Sequence, residues 1–333
     1  MEEQLLRLGR RGRELRPFCE QAGVRPGGYS RRLQRVLADF GAEDSFGRAV
    51  ARLREHYGMD APLSAARRWT LQHGKAIGAM AERSQPRPAA ARLIAQMDGS
   101  MVPIVQRASG SGDARKHKTL CWREARLCLV RAEGSKSPVY GATLGTVEVA
   151  GWLWKETARL AGLTPATVVH GLGDGAPWIL AKFQSHFGQQ GAYLVDFFHA
   201  SQYLAAAAPS VARPGQQIPW RRRQQARLLD NRVADVLRTL AKHLEAPSQE
   251  GAPVRAAHQY LQERRPHLDY ANALARKLPI GSGEIESGHR HVIQSRLKIS
   301  GAWWTQRNME TMLTLRAARA NRWWQAYWAQ AQN

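Results

Sequence analysis

The chain has 333 residues, 44% of them hydrophobic, which is enough apolar material for more than one core and excludes both a disordered chain and a single small module. Its 49 Lys and Arg against 27 Asp and Glu leave a formal charge of +22, spread along the chain, and a surface that basic points to a polyanionic partner, nucleic acid first. Cys19, Cys121 and Cys128 contain no CxxC pair, no apolar run nears the roughly 20 residues of a membrane span, and the Met-Glu-Glu-Gln start lacks a secretory signal, so a reduced, cytoplasmic protein is expected.

From Glu14 to Met80 the sequence reads as short helices broken by Gly and Pro, and residues 1–80 are expected to form a helical DNA-binding domain. Phe46, Val50, Leu53 and Tyr57 recur at helical spacing, Gly58 supplies a stop, and Ser64 is placed to cap a second helix bearing Arg67 and Arg68. Helix, turn and basic helix suit a helix-turn-helix, or equally an ordinary helical hairpin. Residues 81–91, with two prolines, read as a linker.

The pattern then changes to period two. Leu93–Met97, Val102–Gln106, Leu120–Val130 and Tyr140–Leu144 read as strands, Val147–Leu160 as a helix, Thr167–Leu172 as a strand, the stretch after Pro177 as a helix and Ala192–Phe197 as a strand. This order predicts a mixed α/β sheet over 92–200, and not a doubly wound parallel one. Residues 201–280, rich in Ala and Arg, read as an all-helical insertion, with Arg221, Arg222, Arg223 and Arg227 beside Trp220 as a phosphate-gripping surface. Residues 281–333 read as a closing helix and helical tail in which Trp303 and Trp304 suit stacking on an unpaired base, core packing being the readier explanation.

Two acids stand at the ends of apolar runs beside glycine: Asp98 before Gly99, and Asp174 between Gly173 and Gly175. Acids so placed suit oxygen ligation of a hard cation, although Asp-Gly is also common turn chemistry. Two ions clamping a phosphodiester need a third acid, and the closing helix offers Glu284 and Glu286. At 100° per residue Glu286 falls between Ile293 and Leu297 on the arc expected to face the sheet, which makes it the better ligand and leaves Glu284 as an accessory. Arg290, one turn after Glu286, is placed to meet a phosphate.

Met-Asp-Gly-Ser-Met-Val-Pro at 97–103, Gly-Asp-Gly-Ala-Pro-Trp-Ile at 173–179, Asp-Phe-Phe-His at 196–199 and Gly-Ser-Gly-Glu-Ile-Glu-Ser at 281–287, followed by Arg296, Lys298, Gly301 and Trp304, resemble the transposases of bacterial insertion sequences of the Kra type, within the Mutator-like superfamily. The resemblance implies an RNase H-like catalytic domain interrupted by a helical insertion, a DDE triad at Asp98, Asp174 and Glu286, and two Mg²⁺ ions, with Mn²⁺ as a substitute. It further implies double-stranded DNA, both element ends and target, as partner, and a homo-oligomer assembled on it. Asp196 and His199 match the group's Cys-or-Asp, two residues, His motif, with His199 as a possible accessory or an ordinary structural histidine. Arg296, Lys298, Trp303 and Trp304 join Arg67, Arg68 and Arg221–Arg223 as candidate DNA contacts. An RNase H-like endonuclease that cuts without joining, and a non-catalytic DNA-binding relic, are the alternative expectations. There is no GxxxxGK[ST] loop and no HExxH, so neither a phosphate-loop NTPase nor a zincin is indicated.

Overall fold

The computed structural model describes residues 28–107 and 118–330, together with positions 6, 7, 14, 15, 17 and 21; Cys19 and residues 331–333 lie outside them. Leu6–Arg7 and Glu14–Leu15 pair as a short antiparallel ladder, where helix was expected from Glu14 onward.

Three helices follow: α1 (Arg31–Glu43), α2 (Phe46–Tyr57) and α3 (Leu63–Ala81). Ser30 and Ser45 cap α1 and α2 by accepting from the backbone N–H three residues on. Gly58 ends α2 in the left-handed conformation at φ 62°, which only glycine adopts without cost. Ser64 does not cap α3. The helix begins at Leu63, two residues earlier than a Ser64 cap would set it, with Pro62 at the cap position and no side-chain cap.

A five-stranded sheet carries the centre of the molecule: β1 (Arg92–Arg107), β2 (Lys118–Ala132), β3 (Val139–Thr143), β4 (Val168–Gly173) and β5 (Gly191–Val195), in spatial order β3-β2-β1-β4-β5. β1, β2 and β3 are antiparallel neighbours, while β1–β4 and β4–β5 are parallel. The two separate strands expected on either side of Asp98 are one strand, because β2 pairs with β1 without a break from Leu93↔Ala132 to Arg107↔Lys118. Asp98 is therefore not at the end of its own strand. It lies where β4, its parallel neighbour, has run out.

On one face of the sheet lie α4 (Val147–Leu160) and α5 (Pro177–Phe187), whose Trp154, Phe183 and Phe187 rings pack together, Trp154 edge to face with Phe187, in the core that holds Leu93, Ala95 and Met97. The other face is shared. Over β4 and β5 it takes the helical insertion: α6 (Phe197–Val211), α7 (Gln217–Leu229), α8 (Val233–Ala241), α9 (Pro253–Glu263) and α10 (Tyr270–Ala275). Over β1 to β3 it takes the C-terminal segment: α11 (Gly283–Gly288), a π-helical turn (His289–Gln294), α12 (Ser295–Leu297), α13 (Gln306–Ala320) and α14 (Trp323–Gln330).

The N-terminal helices share that second core, since Ala38, Ala42 and Ile77 pack with Met309, Met312 and Leu313. Gly74 and Gly78 let α3 approach α13 closely; a Cβ at either would stand 2.9 Å from a threonine methyl, of Thr311 or Thr314. Residues 82–91 hold no regular structure but are tied down, with Arg87 N–H donating to Leu160 and Ala90 N–H to Gly162. No helix among the described residues is long and apolar enough to cross a membrane.

Candidate active site

The parallel register aligns three carboxylates. Gln96 pairs with Leu172 and Gly173 with Val195, so continuing each ladder brings Asp98 level with Asp174, and Asp174 level with Asp196. Because side chains alternate along a strand, residues in register on neighbouring strands point to the same face. For Asp98 that face is the one crossed by α11, while Asp174 and Asp196 each follow directly on the last residue of their strand.

The three acids are used differently. Asp196 is 3% exposed and fully occupied: Oδ1 caps α6 by accepting from His199 N–H at 2.8 Å, and Oδ2 accepts from both the N–H and the hydroxyl of Ser282. The Asp-x-x-His spacing is thus the spacing of a helix cap to its third residue. The His199 ring stands edge-on to Tyr203 and Tyr260, themselves stacked at 4.0 Å, and so joins α6 to α9.

Asp98 and Asp174 are half-buried and keep free acceptors. Asp98 Oδ1 accepts from Gly99 N–H at 2.7 Å; Asp174 Oδ1 accepts from Ala176 N–H at 2.8 Å in the turn that starts α5 with Pro177. Gly175 in that turn has φ 76°, and the insertion grips the same loop: Tyr260 donates its hydroxyl to Asp174 O and Arg264 donates Nε–H to Gly175 O. Burial pushes the Tyr260 phenol up, so it stays a donor at neutral pH.

Three contacts pin the start of α11 over this row. Ser282 is held by Asp196; Ile285 N–H donates to the buried Gln96 amide; and Glu284 accepts from Gln96 and from Arg131 Nε at 2.8 Å. Glu284, expected only as an accessory, reaches the sheet although exposed, and its carboxylate is engaged by Arg131. Glu286 is exposed and makes no hydrogen bond or ion pair among the described residues. The expected 100° phase does not run through this segment, because a π-helical turn follows, closed by Ser295 N–H donating to Arg290 O. Its residue His289, one turn beyond Glu286, places Nε2 3.2 Å from Asp98 Oδ2. No group of three His, Cys, Asp or Glu side chains stands close enough to hold a metal ion among the described residues.

On the opposite face of the sheet, behind Asp98, lies a residue that the sequence did not single out. Arg126 pairs with Gly99 in register, bridges to Glu124 at 2.6 Å and stacks over Trp178 at 5.2 Å. The run Gly110-Ser-Gly-Asp113, midway between the two long strands, was the signal from which their register could have been counted.

The proposed DNA contacts divide by burial. Arg67, Arg68, Arg222, Arg223, Arg290, Lys298 and Trp303 are exposed, and Lys118 lies 5.5 Å over the Trp303 ring. Arg221 is half-buried. Arg296 and Trp304 are not available to DNA: both are buried, Arg296 is sandwiched between Phe46 and Trp304, and Trp304 donates its indole N–H to Leu297 O. Trp220 likewise lies in the core and cannot stack on a base.

No family model matches the chain, and no curated protein does. Among solved structures, a chain of the Drosophila P element transposase strand transfer complex aligns over 95% of this chain and 83% of its own, at 8% identity and a TM-score of 0.32, a likeness too loose to bear on fold or function.

Proposed function

We propose that the chain is a DNA transposase of the DDE type on an RNase H-like sheet, with Asp98, Asp174 and Glu286 as its acidic triad. The observation that carries this reading is the register row: two carboxylates with free acceptors, one within β1 and one directly past the end of its parallel neighbour β4, beside a pinned helix that bears a third. The strand order, three antiparallel strands followed by two parallel ones, supports the RNase H-like part of it.

The donor set fits a hard divalent cation. Asp98 and Asp174 keep oxygen lone pairs uncommitted, Glu286 is unpartnered among the described residues, and the buried His289 beside Asp98 has both ring nitrogens without a hydrogen bond. Mg²⁺ or Mn²⁺ bound there would supply charge to activate an attacking hydroxyl and to stabilise a leaving 3′-oxygen. The reaction is then two in-line displacements at phosphorus: water frees a 3′-hydroxyl at an element end, and that hydroxyl displaces a 3′-oxygen in target DNA. Glu284 is tied to Arg131, which leaves Glu286 as the third acid, and in this reading its carboxylate would have to turn toward Asp98 to join the site. Arg290 and Lys298, exposed along the same segment, meet the DNA backbone. Joining two ends calls for at least two chains.

The test is cleavage and joining of labelled duplexes carrying the DNA that flanks the gene, with Mg²⁺ or Mn²⁺, by wild type, Asp98→Asn, Glu286→Gln and Glu284→Gln. Expected are nicked and joined products from wild type, loss by roughly a thousandfold or more for Asp98→Asn and Glu286→Gln, and a smaller loss for Glu284→Gln. Nicking without joining would identify a nuclease. Equal DNA binding with no cutting by any of them would leave a DNA-binding protein, the reading favoured by the lack, among the described residues, of three metal-ligating side chains grouped together.

A further inference from the structure

His289 is 3% exposed, and neither ring nitrogen makes a hydrogen bond. Buried polar groups without partners are rare in folded proteins and ask what is missing from beside them. Asp98 Oδ2 stands 3.2 Å from Nε2 without meeting the geometry of a hydrogen bond. Oδ2 is also the oxygen of Asp98 that Gly99 leaves free. Two ligand atoms in adjacent positions on one six-coordinate ion, each about 2.1 Å from it, stand about 3 Å apart with both lone pairs aimed at a common point.

The backbone supports the same placement. His289 opens the π-helical turn, an irregularity frequent at functional sites, and the turn is maintained from behind by Arg316, which donates to the carbonyls of His291 and Val292. Packing alone does not call for an imidazole here, since the adjoining buried positions are Ile285, Gly288 and Val292.

We infer that His289 is a ligand, through Nε2, to the divalent ion that Asp98 binds, which makes the site a mixed nitrogen and oxygen site. This rests on the proposed metal binding at Asp98. Imidazole favours later first-row ions over Mg²⁺, so the site prefers Mn²⁺ to Mg²⁺ more strongly than an all-carboxylate site does.

The experiment loads the full chain with Mn²⁺ in the absence of DNA and records its pulsed electron paramagnetic resonance spectrum, for wild type, His289→Gln, His289→Ala and Asp98→Asn. Nitrogen modulation in wild type that disappears in both His289 variants, with Mn²⁺ affinity reduced roughly tenfold or more, is the expected result. Bound Mn²⁺ that requires Asp98 but shows no nitrogen modulation overturns the His289 assignment and leaves the metal site standing. Nitrogen modulation that persists in both His289 variants also overturns it. No Mn²⁺ bound by wild type overturns both. A wild-type spectrum without nitrogen modulation overturns the assignment whether or not a variant folds, and either folded His289 variant suffices for the positive result.

Discussion

Arg296 retains 1% of its surface, and its guanidinium is accommodated by stacking between two aromatic rings and by donating to Gly41 O at 3.0 Å. Burial, with Arg316 nearby, pulls its pKa down to about 10, so it remains a cation at neutral pH. Arg316 does the same for Ala42 O, and together they satisfy carbonyls at the C-terminal end of α1, where positive charge also meets the helix dipole. Arg296→Ala should therefore cost about 3 kcal/mol in urea denaturation while leaving the DNA affinity of the folded protein unchanged. Arg222→Ala and Arg223→Ala should do the reverse, each lowering the slope of log affinity against log salt by roughly 1. A second comparison separates the acids of the row. Without divalent metal, Asp196→Asn should lose about 2 kcal/mol, because the charged acceptor for Ser282 and His199 is gone, whereas Asp98→Asn and Asp174→Asn should leave stability within about 0.5 kcal/mol. A large loss for Asp98→Asn would mean that it is a structural carboxylate.

At the scale of the element, the contact of α3 with α13 sets two effects against each other. Replacing a helical glycine by alanine gains about 1 kcal/mol of helix propensity, but overpacking costs about 1–3 kcal/mol. At Gly74 the new methyl would stand 2.9 Å from Thr311 Cγ2 and 3.3 Å from Thr311 O, a carbonyl that cannot rotate away. At Gly47 in α2 nothing lies within 4 Å. Gly74→Ala should lower the denaturation midpoint and Gly47→Ala should raise it; equal shifts would show that α3 and α13 are not in close contact in solution. The closing segment shows the same dependence on neighbours. Its helix is short, and its placement comes from Asp196, Gln96 and Arg131 and not from capping, since Ser282 makes no side-chain cap.

For the whole molecule, the joint between the N-terminal helices and the C-terminal ones carries its own acid response. His73 bonds Tyr327 and Gln34 in the interior, and burial, reinforced by Arg31, holds its pKa at about 4. The unfolded chain takes up that proton near pH 6.5, so stability is complete above pH 6.5 and declines as pH falls toward 4, by up to about 3 kcal/mol. Glu43 acts at the acid end of that window and beyond it. Burial raises its pKa, but Arg316 and Arg319 outweigh it and hold the carboxyl below 4.5, so its contribution persists until the pH falls through that lowered value. Denaturation curves at pH 8, 6, 5 and 4 should show a steady loss that His73→Gln flattens; an unchanged profile in that variant would mean that the histidine is solvated.

Much of the chain was legible without its tertiary structure, for local reasons. Val147–Leu160 was read to the residue because an amphipathic stretch bounded by Thr146 and Gly162 carries its own start and stop, and the Gly58 stop and Pro177 start are backbone preferences of single residues. The period-two runs fixed strands in the order found, and the charge fixed a basic surface. Other features depended on residues far apart in sequence. Asp98 was read at a strand end because Asp-Gly is a turn signal, yet Leu127 pairs across from it and the strand continues. That Asp98, Asp174 and Asp196 share one row is set by register between strands roughly 75 and 22 residues apart, which no local period encodes. Arg296 and Trp304 became interior because α1 and α2 pack back over them. The phase of Glu286 changed because Arg316, from another helix, stabilises a π-helical turn in which five-residue closure replaces four. Sequence by itself determined the order of elements, the basic surface and the candidate acids; tertiary structure decided which acids stand together and which are already bound, because both are properties of pairing between distant segments.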